Sequence, residues 1–127
     1  GITDVSALGT VQHLILSRCN GVTDVSALGK VPHLDLSLCD GIRDVSALGR
    51  GVPHTQFLNL YRCGGISDVS ALGAVRHLIL ARCVAVVDVS ALGRVEKLDL
   101  EGCTGVTDVS ALGTVEELDL SGCTGIV

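Results

Sequence analysis

The phrase DVSALG stands at residues 4–9, 24–29, 44–49, 68–73, 88–93 and 108–113. Successive aspartates of the phrase are 20, 20, 24, 20 and 20 residues apart. An active-site motif is normally written once; a phrase repeated at near-constant spacing is architecture. One full unit, from Val11 to Lys30, reads VQHLILSRCNGVTDVSALGK. Its apolar positions are Val11, Leu14, Leu16, Cys19, Val22, Val25 and Leu28: a two-residue alternation, then steps of three.

Each part of the unit has a mechanical reading. Leu14 and Leu16 alternate with His13, Ile15 and Ser17, which predicts a short strand with one face inward. Asp24 is placed to cap a helical turn by accepting backbone N–H groups. Val25 and Leu28, three apart, point the same way from a single 3₁₀-like turn. Gly29 then supplies a left-handed or crowded conformation that ends the turn. Gly21, Gly41, Gly65, Gly105 and Gly125 bend the chain between strand and turn, with Ala85 the departure. A 20-residue unit cannot bury such a face alone, whereas stacked copies cover one another and pair their strands in parallel about 4.8 Å apart. The fold class is therefore an α/β solenoid of six coils, about 30 Å along the stack, with short parallel strands on one face and 3₁₀ or irregular turns on the other.

Composition agrees. The 127 residues suit one domain, and 47% are apolar, with one Phe, one Tyr and no Trp or Met. The core must be Val, Leu, Ile, Ala and Cys packed in layers. A net charge of −5 with scattered Lys and Arg is wrong for a nucleic-acid binder. The apolar run VAVV (84–87) meets Asp88 at once, so no membrane insertion is expected. The opening GITDVSALG lacks the regions of a signal peptide and begins mid-phrase, as in a fragment or processed product.

The pattern LxLxxCxx[VI]xDVxxL resembles a leucine-rich repeat, and VTDVSALG (22–29) resembles the ITDISPL phrase of internalin-type repeats, with Cys at the usual Asn position. Cysteine-containing leucine-rich repeats are similar but longer. The resemblance implies a curved solenoid whose strand face recognises another protein, normally with capping units. No cap is visible here: the chain reads as a single solenoid over 1–127, uncapped at both ends, with a four-residue insertion in the third repeat at about 51–57.

Chemistry is sparse. Cys19, Cys39, Cys63, Cys83, Cys103 and Cys123 recur once per coil. Side chains in register on parallel coils suit a disulfide dihedral poorly, which favours a column of buried structural thiols donating weak hydrogen bonds to loop carbonyls. His13, His33 and His77 precede the strand leucines and belong on the outer face, with His13 and His33 near enough in principle to share a metal, although surface residues are the plainer reading. His54 lies in the odd repeat. Asp24 and Ser26 recur in every copy as turn residues, and six equal catalytic serines make no mechanistic sense. There is no GxSxG elbow, P-loop or dinucleotide fingerprint. No catalytic residue, metal or cofactor is expected.

Function should lie where the copies differ. The outward strand positions read HxIxS (His13, Ile15, Ser17), HxDxS (His33, Asp35, Ser37), FxNxY (Phe57, Asn59, Tyr61), HxIxA (His77, Ile79, Ala81), KxDxE (Lys97, Asp99, Glu101) and ExDxS (Glu117, Asp119, Ser121). Arg18, Arg62 and Arg82 follow the strands of three coils, while Glu96 and Glu116 precede the last two. Two readings stay open: a dipolar recognition surface, or charges that merely solvate an exposed sheet. The close acids Asp99, Glu101, Glu117 and Asp119 should repel one another. Val84 and Val87 mark an exposed apolar spot.

These observations point to a non-enzymatic scaffold binding another protein through its strand face, at Phe57, Asn59, Tyr61, Arg62, Asp99, Glu101, Glu117 and Asp119. The alternative is coils stacking end to end with further copies of the chain into a filament. Free thiols fit a reducing interior, whereas the internalin resemblance implies a secreted or surface protein.

Overall fold

In the computed structural model, residues 3–49 and 55–126 are described. Each coil contributes one three-residue strand: β1 His13–Ile15, β2 His33–Asp35, β3 Phe57–Asn59, β4 His77–Ile79, β5 Lys97–Asp99 and β6 Glu117–Asp119. They form one six-stranded parallel sheet in the order β1-β2-β3-β4-β5-β6. Opposite each strand runs a single 3₁₀ turn: Ser6–Leu8, Ser26–Leu28, Ser46–Gly49, Ser70–Leu72, Ser90–Leu92 and Ser110–Leu112. The repeated phrase is thus one wall of the stack and the strands are the other.

Register is constant from coil to coil. His13 stands beside His33, His33 beside Phe57, Phe57 beside His77, His77 beside Lys97 and Lys97 beside Glu117. The ladder continues just past each strand, where the N–H of Leu16, Leu36, Leu60, Leu80 and Leu100 donates to a carbonyl of the next coil at 2.8–2.9 Å. Between the walls lie columns of identical or near-identical apolar residues. Leu34, Leu58, Leu78 and Leu98 form one, Leu36, Leu60, Leu80 and Leu100 a second, and Val25, Val45, Val69 and Val89 a third, all almost fully buried. At the two ends, Leu14, Cys19, Val109, Val115, Leu120 and Ile126 are only partly buried, and Leu118 is 37% exposed.

One local expectation is resolved between its two alternatives, left-handed or crowded, and one is revised. Gly29 is not left-handed, with φ −63°. It is glycine because a Cβ there would lie 2.4 Å from the Ala47 carbonyl oxygen of the next coil. The same overlap, at 2.4–2.6 Å, recurs at Gly9, Gly73 and Gly93. The phrase therefore ends in glycine so that the next coil can approach. Asp24 does accept a backbone N–H, that of Ser26 at 2.9 Å, but it stands one residue ahead of the capping position, which Val25 fills. The left-handed conformation falls elsewhere, on the residue before each cysteine: Arg18, Leu38, Arg62 and Arg82 (φ 56° to 63°), then Gly102 and Gly122.

Of the insertion expected at about 51–57, residues 51–54 lie outside the described residues, His54 among them. Phe57 is in register with His33. Thr55 occupies the column of Val31, Val75 and Val95, is fully buried, and donates its hydroxyl to the Leu48 carbonyl at 3.3 Å.

Candidate strand-face interaction site

The strands carry outward side chains in three columns that run along the stack. The first is an aromatic and imidazole stack. The rings of His13 and His33 lie 4.2 Å apart and 22° from parallel, those of His33 and Phe57 4.4 Å apart at 18°. His77 meets Phe57 edge-on at 5.0 Å. Parallel pairing forces this arrangement, because rings in register are held near the 4.8 Å strand spacing, within stacking range. Sequence reading singled out Phe57 and set His13 and His33 side by side on the outer face without joining them to it; the signal for the continuous stack was the shared column, two residues ahead of Ile15, Asp35, Asn59 and Ile79. No cluster of three or more potential metal ligands occurs among the described residues.

The second column is Ile15, Asp35, Asn59, Ile79, Asp99 and Asp119. Asp35, Asn59, Asp99 and Asp119 each accept, at 2.9 Å, the N–H of the residue two further on, namely Ser37, Tyr61, Glu101 and Ser121. They shape the turn after the strand, a role that the sequence reading missed. Ile15 has no such task and is 68% exposed. In the third column Tyr61 is half-buried between two small residues, Ser37 and Ala81, both buried, so Ala81 offers little to a partner. Arg62, next along the chain, holds its guanidinium 5.5 Å from the Tyr61 ring centre.

The acidic end is less bare than its sequence implies. Glu101 is gripped by Arg82 through two hydrogen bonds of 3.2 Å. Glu117 faces Lys97 at 3.9 Å, and Glu96 pairs with Arg76 at 3.1 Å. Hydrogen bonds from the Ser121 hydroxyl and N–H hold the Asp119 carboxyl below its ordinary range. The expected repulsion among Asp99, Glu101, Glu117 and Asp119 is therefore offset by two inter-coil cations and by the turn bonds.

Inside the stack, the thiols of Cys39, Cys63, Cys83, Cys103 and Cys123 donate to the carbonyls of Leu16, Leu36, Leu60, Leu80 and Leu100 at 2.9–3.1 Å, each reaching back one coil. All six cysteines are free. Burial raises the thiols of Cys63 and Cys103 to about 11 and that of Cys83 to about 12. On the opposite wall, shallow furrows recur between coils; one of about 360 Å³ is lined by Ser67, Asp68, Ser70, Asp88, Ser90 and Ala91. The same furrow recurs at Thr23, Asp24, Ser26, Asp44, Ser46 and Ala47, so it is a by-product of stacking. Val84 and Val87 are 56% and 57% exposed.

A short parallel strand, a cysteine turn and a 3₁₀ return, repeated in register around one leucine core, define a leucine-rich-repeat solenoid. Similar solved structures come from Listeria monocytogenes. An internalin (InlF) is 26% identical with a TM-score of 0.61 over 92% of this chain and 37% of its own. An internalin C2 is 22% identical with a TM-score of 0.53 over 92% and 66%. A functional domain of InlJ, which includes a cysteine ladder, is 18% identical with a TM-score of 0.48 over 97% and 32%. The chain thus spans from about a third to two thirds of the internalins it resembles. No protein-family model and no curated protein sequence matches it.

Proposed function

We propose that this solenoid is a non-enzymatic scaffold that binds another protein through its strand face, in coils one to four. The observation that carries the reading is the stack His13–His33–Phe57–His77 with exposed Ile15 beside it. It is an outward row of rings on a rigid sheet, and these residues have no part in the core. Tyr61 and Arg62 extend the row and are types favoured at binding hot spots. Likeness to internalins supports an interaction module in general. A hydrolytic reading has no support, since the recurring Asp carboxylates accept the N–H of the recurring Ser as turn bonds.

The test is affinity capture with the purified chain, identification of the bound protein, and titration of that protein against variants. Phe57→Ala and Tyr61→Ala should each weaken binding at least about tenfold, while Ser90→Ala on the opposite wall leaves it unchanged. Equal loss at Ser90 would contradict the strand-face reading. Sedimentation over a wide concentration range separates end-to-end stacking, which would give ever-larger species instead of a monomer.

A further inference from the structure

We infer that the strand face of coils one to four takes an extended, carboxylate-rich segment of a partner that runs along the stack, its acidic groups met by Arg18 and Arg62. The inference rests on the strand-face reading and adds the chemistry of the occupant.

Two independent observations carry it. The first is backbone conformation. Arg18, Leu38, Arg62 and Arg82 hold φ of 56° to 63°, a region that side chains rarely adopt, where coils five and six use Gly102 and Gly122. Glycine would relieve the strain in every coil; Arg82 uses the position to reach Glu101, whereas Arg18 and Arg62 have no such structural task, which points to a role beyond folding. The second is charge. Arg76, Arg82 and Lys97 are each paired with a carboxylate of the next coil. Among the described residues neither Arg18 nor Arg62 has an acid within ion-pair distance, and both are exposed.

Arg18 and Arg62 sit two coils apart, about 10 Å along the stack. In a polyproline-II-like segment, carboxylates three residues apart face the same side about 9 Å apart, so one segment can meet both arginines. Guanidinium binds carboxylate through two parallel hydrogen bonds.

The test uses the full chain and a fluorescein-labelled deca-glutamate peptide, read by anisotropy at low salt, with deca-glutamine as the control. The double variant Arg18→Gly/Arg62→Gly should bind at least about tenfold more weakly than the parent, and melt about 3–5 °C higher because strain is removed. Leu38→Arg, which completes the row, should bind several-fold more tightly. Unchanged affinity in the double variant, or equal binding of deca-glutamine, overturns the inference. Should the double variant melt lower, Leu38→Arg decides: tighter binding supports the inference and unchanged binding overturns it. Self-association abolished by the double variant would mean that the acids come from coils five and six of a second copy, which also overturns it. If the captured partner depends on Phe57 but deca-glutamate does not bind, this inference fails while the strand-face reading stands.

Discussion

At the scale of single residues, the repeat is governed by what the next coil will tolerate. Gly73 has ordinary helical φ of −65°, and nothing in its own conformation requires glycine. A methyl there would sit 2.4 Å from the Ala91 carbonyl oxygen, a backbone atom that cannot swing aside. Gly113 has the same conformation and nothing within 4 Å of the equivalent methyl. Gly73→Ala should therefore cost about 3 kcal/mol by overpacking. Gly113→Ala should be neutral or stabilising by about 0.5 kcal/mol. Urea unfolding of both variants checks this, and equal effects would contradict it. Thr55 makes the converse point. Valine is the residue of its column in the neighbouring coils, yet Thr55→Val removes the hydroxyl donor to the Leu48 carbonyl and should destabilise by about 1 kcal/mol. A more stable Thr55→Val protein would show that the hydroxyl is dispensable.

At the scale of the element, each turn is tied by an aspartate. Hydroxyl and N–H bonds from Ser26, Ser70 and Ser90 lower the carboxyls of Asp24, Asp68 and Asp88, and N–H and hydroxyl bonds from Ser6 and Ser110 lower those of Asp4 and Asp108. A folded value below the ordinary 3.8 means that the unfolded chain takes up protons first as pH falls. The contribution is thus complete above about pH 4.5 and is lost as pH drops through 3.8 toward the folded values. Tm should be flat from pH 7 to about pH 4.5 and fall below it; a Tm that rises on acidification would contradict the sign. Asp88→Asn keeps the acceptor oxygen, as Asn59 does naturally toward Tyr61, and should fold while losing its share of that pH dependence. The strand and turn of each element were legible in the alternation of Leu14 and Leu16 and the three-step of Val25 and Leu28. The left-handed residue was not, because arginine and leucine give no sign of positive φ; only Gly102 and Gly122, read across to the same position in the other coils, carry that signal.

At the scale of the molecule, the repeat period was enough to give the solenoid, the parallel register and the outward columns. It was not enough to rank the outward residues. Asp35 and Asp99 read as free acids, yet each serves its own turn, and Glu101 reads as part of an acidic patch, yet it is held by Arg82 from the preceding coil. These outcomes depend on which side chain is shorter and which neighbour reaches it, and a one-dimensional pattern does not record that. The histidines are the opposite case: each is unremarkable alone, and only their alignment with Phe57 makes a surface.

All of this requires that successive coils share one closed interior, and the reactivity of the thiols tests that most directly. Native protein at pH 8 is treated with a thiol reagent, and labelled sites are identified by mass spectrometry before and after unfolding. Cys19, the one half-buried cysteine, should react first, while Cys63, Cys83 and Cys103, buried and raised to about 11 or 12, should stay silent until the chain unfolds. Rapid stoichiometric labelling of those three central thiols in the folded protein would contradict the stacked core.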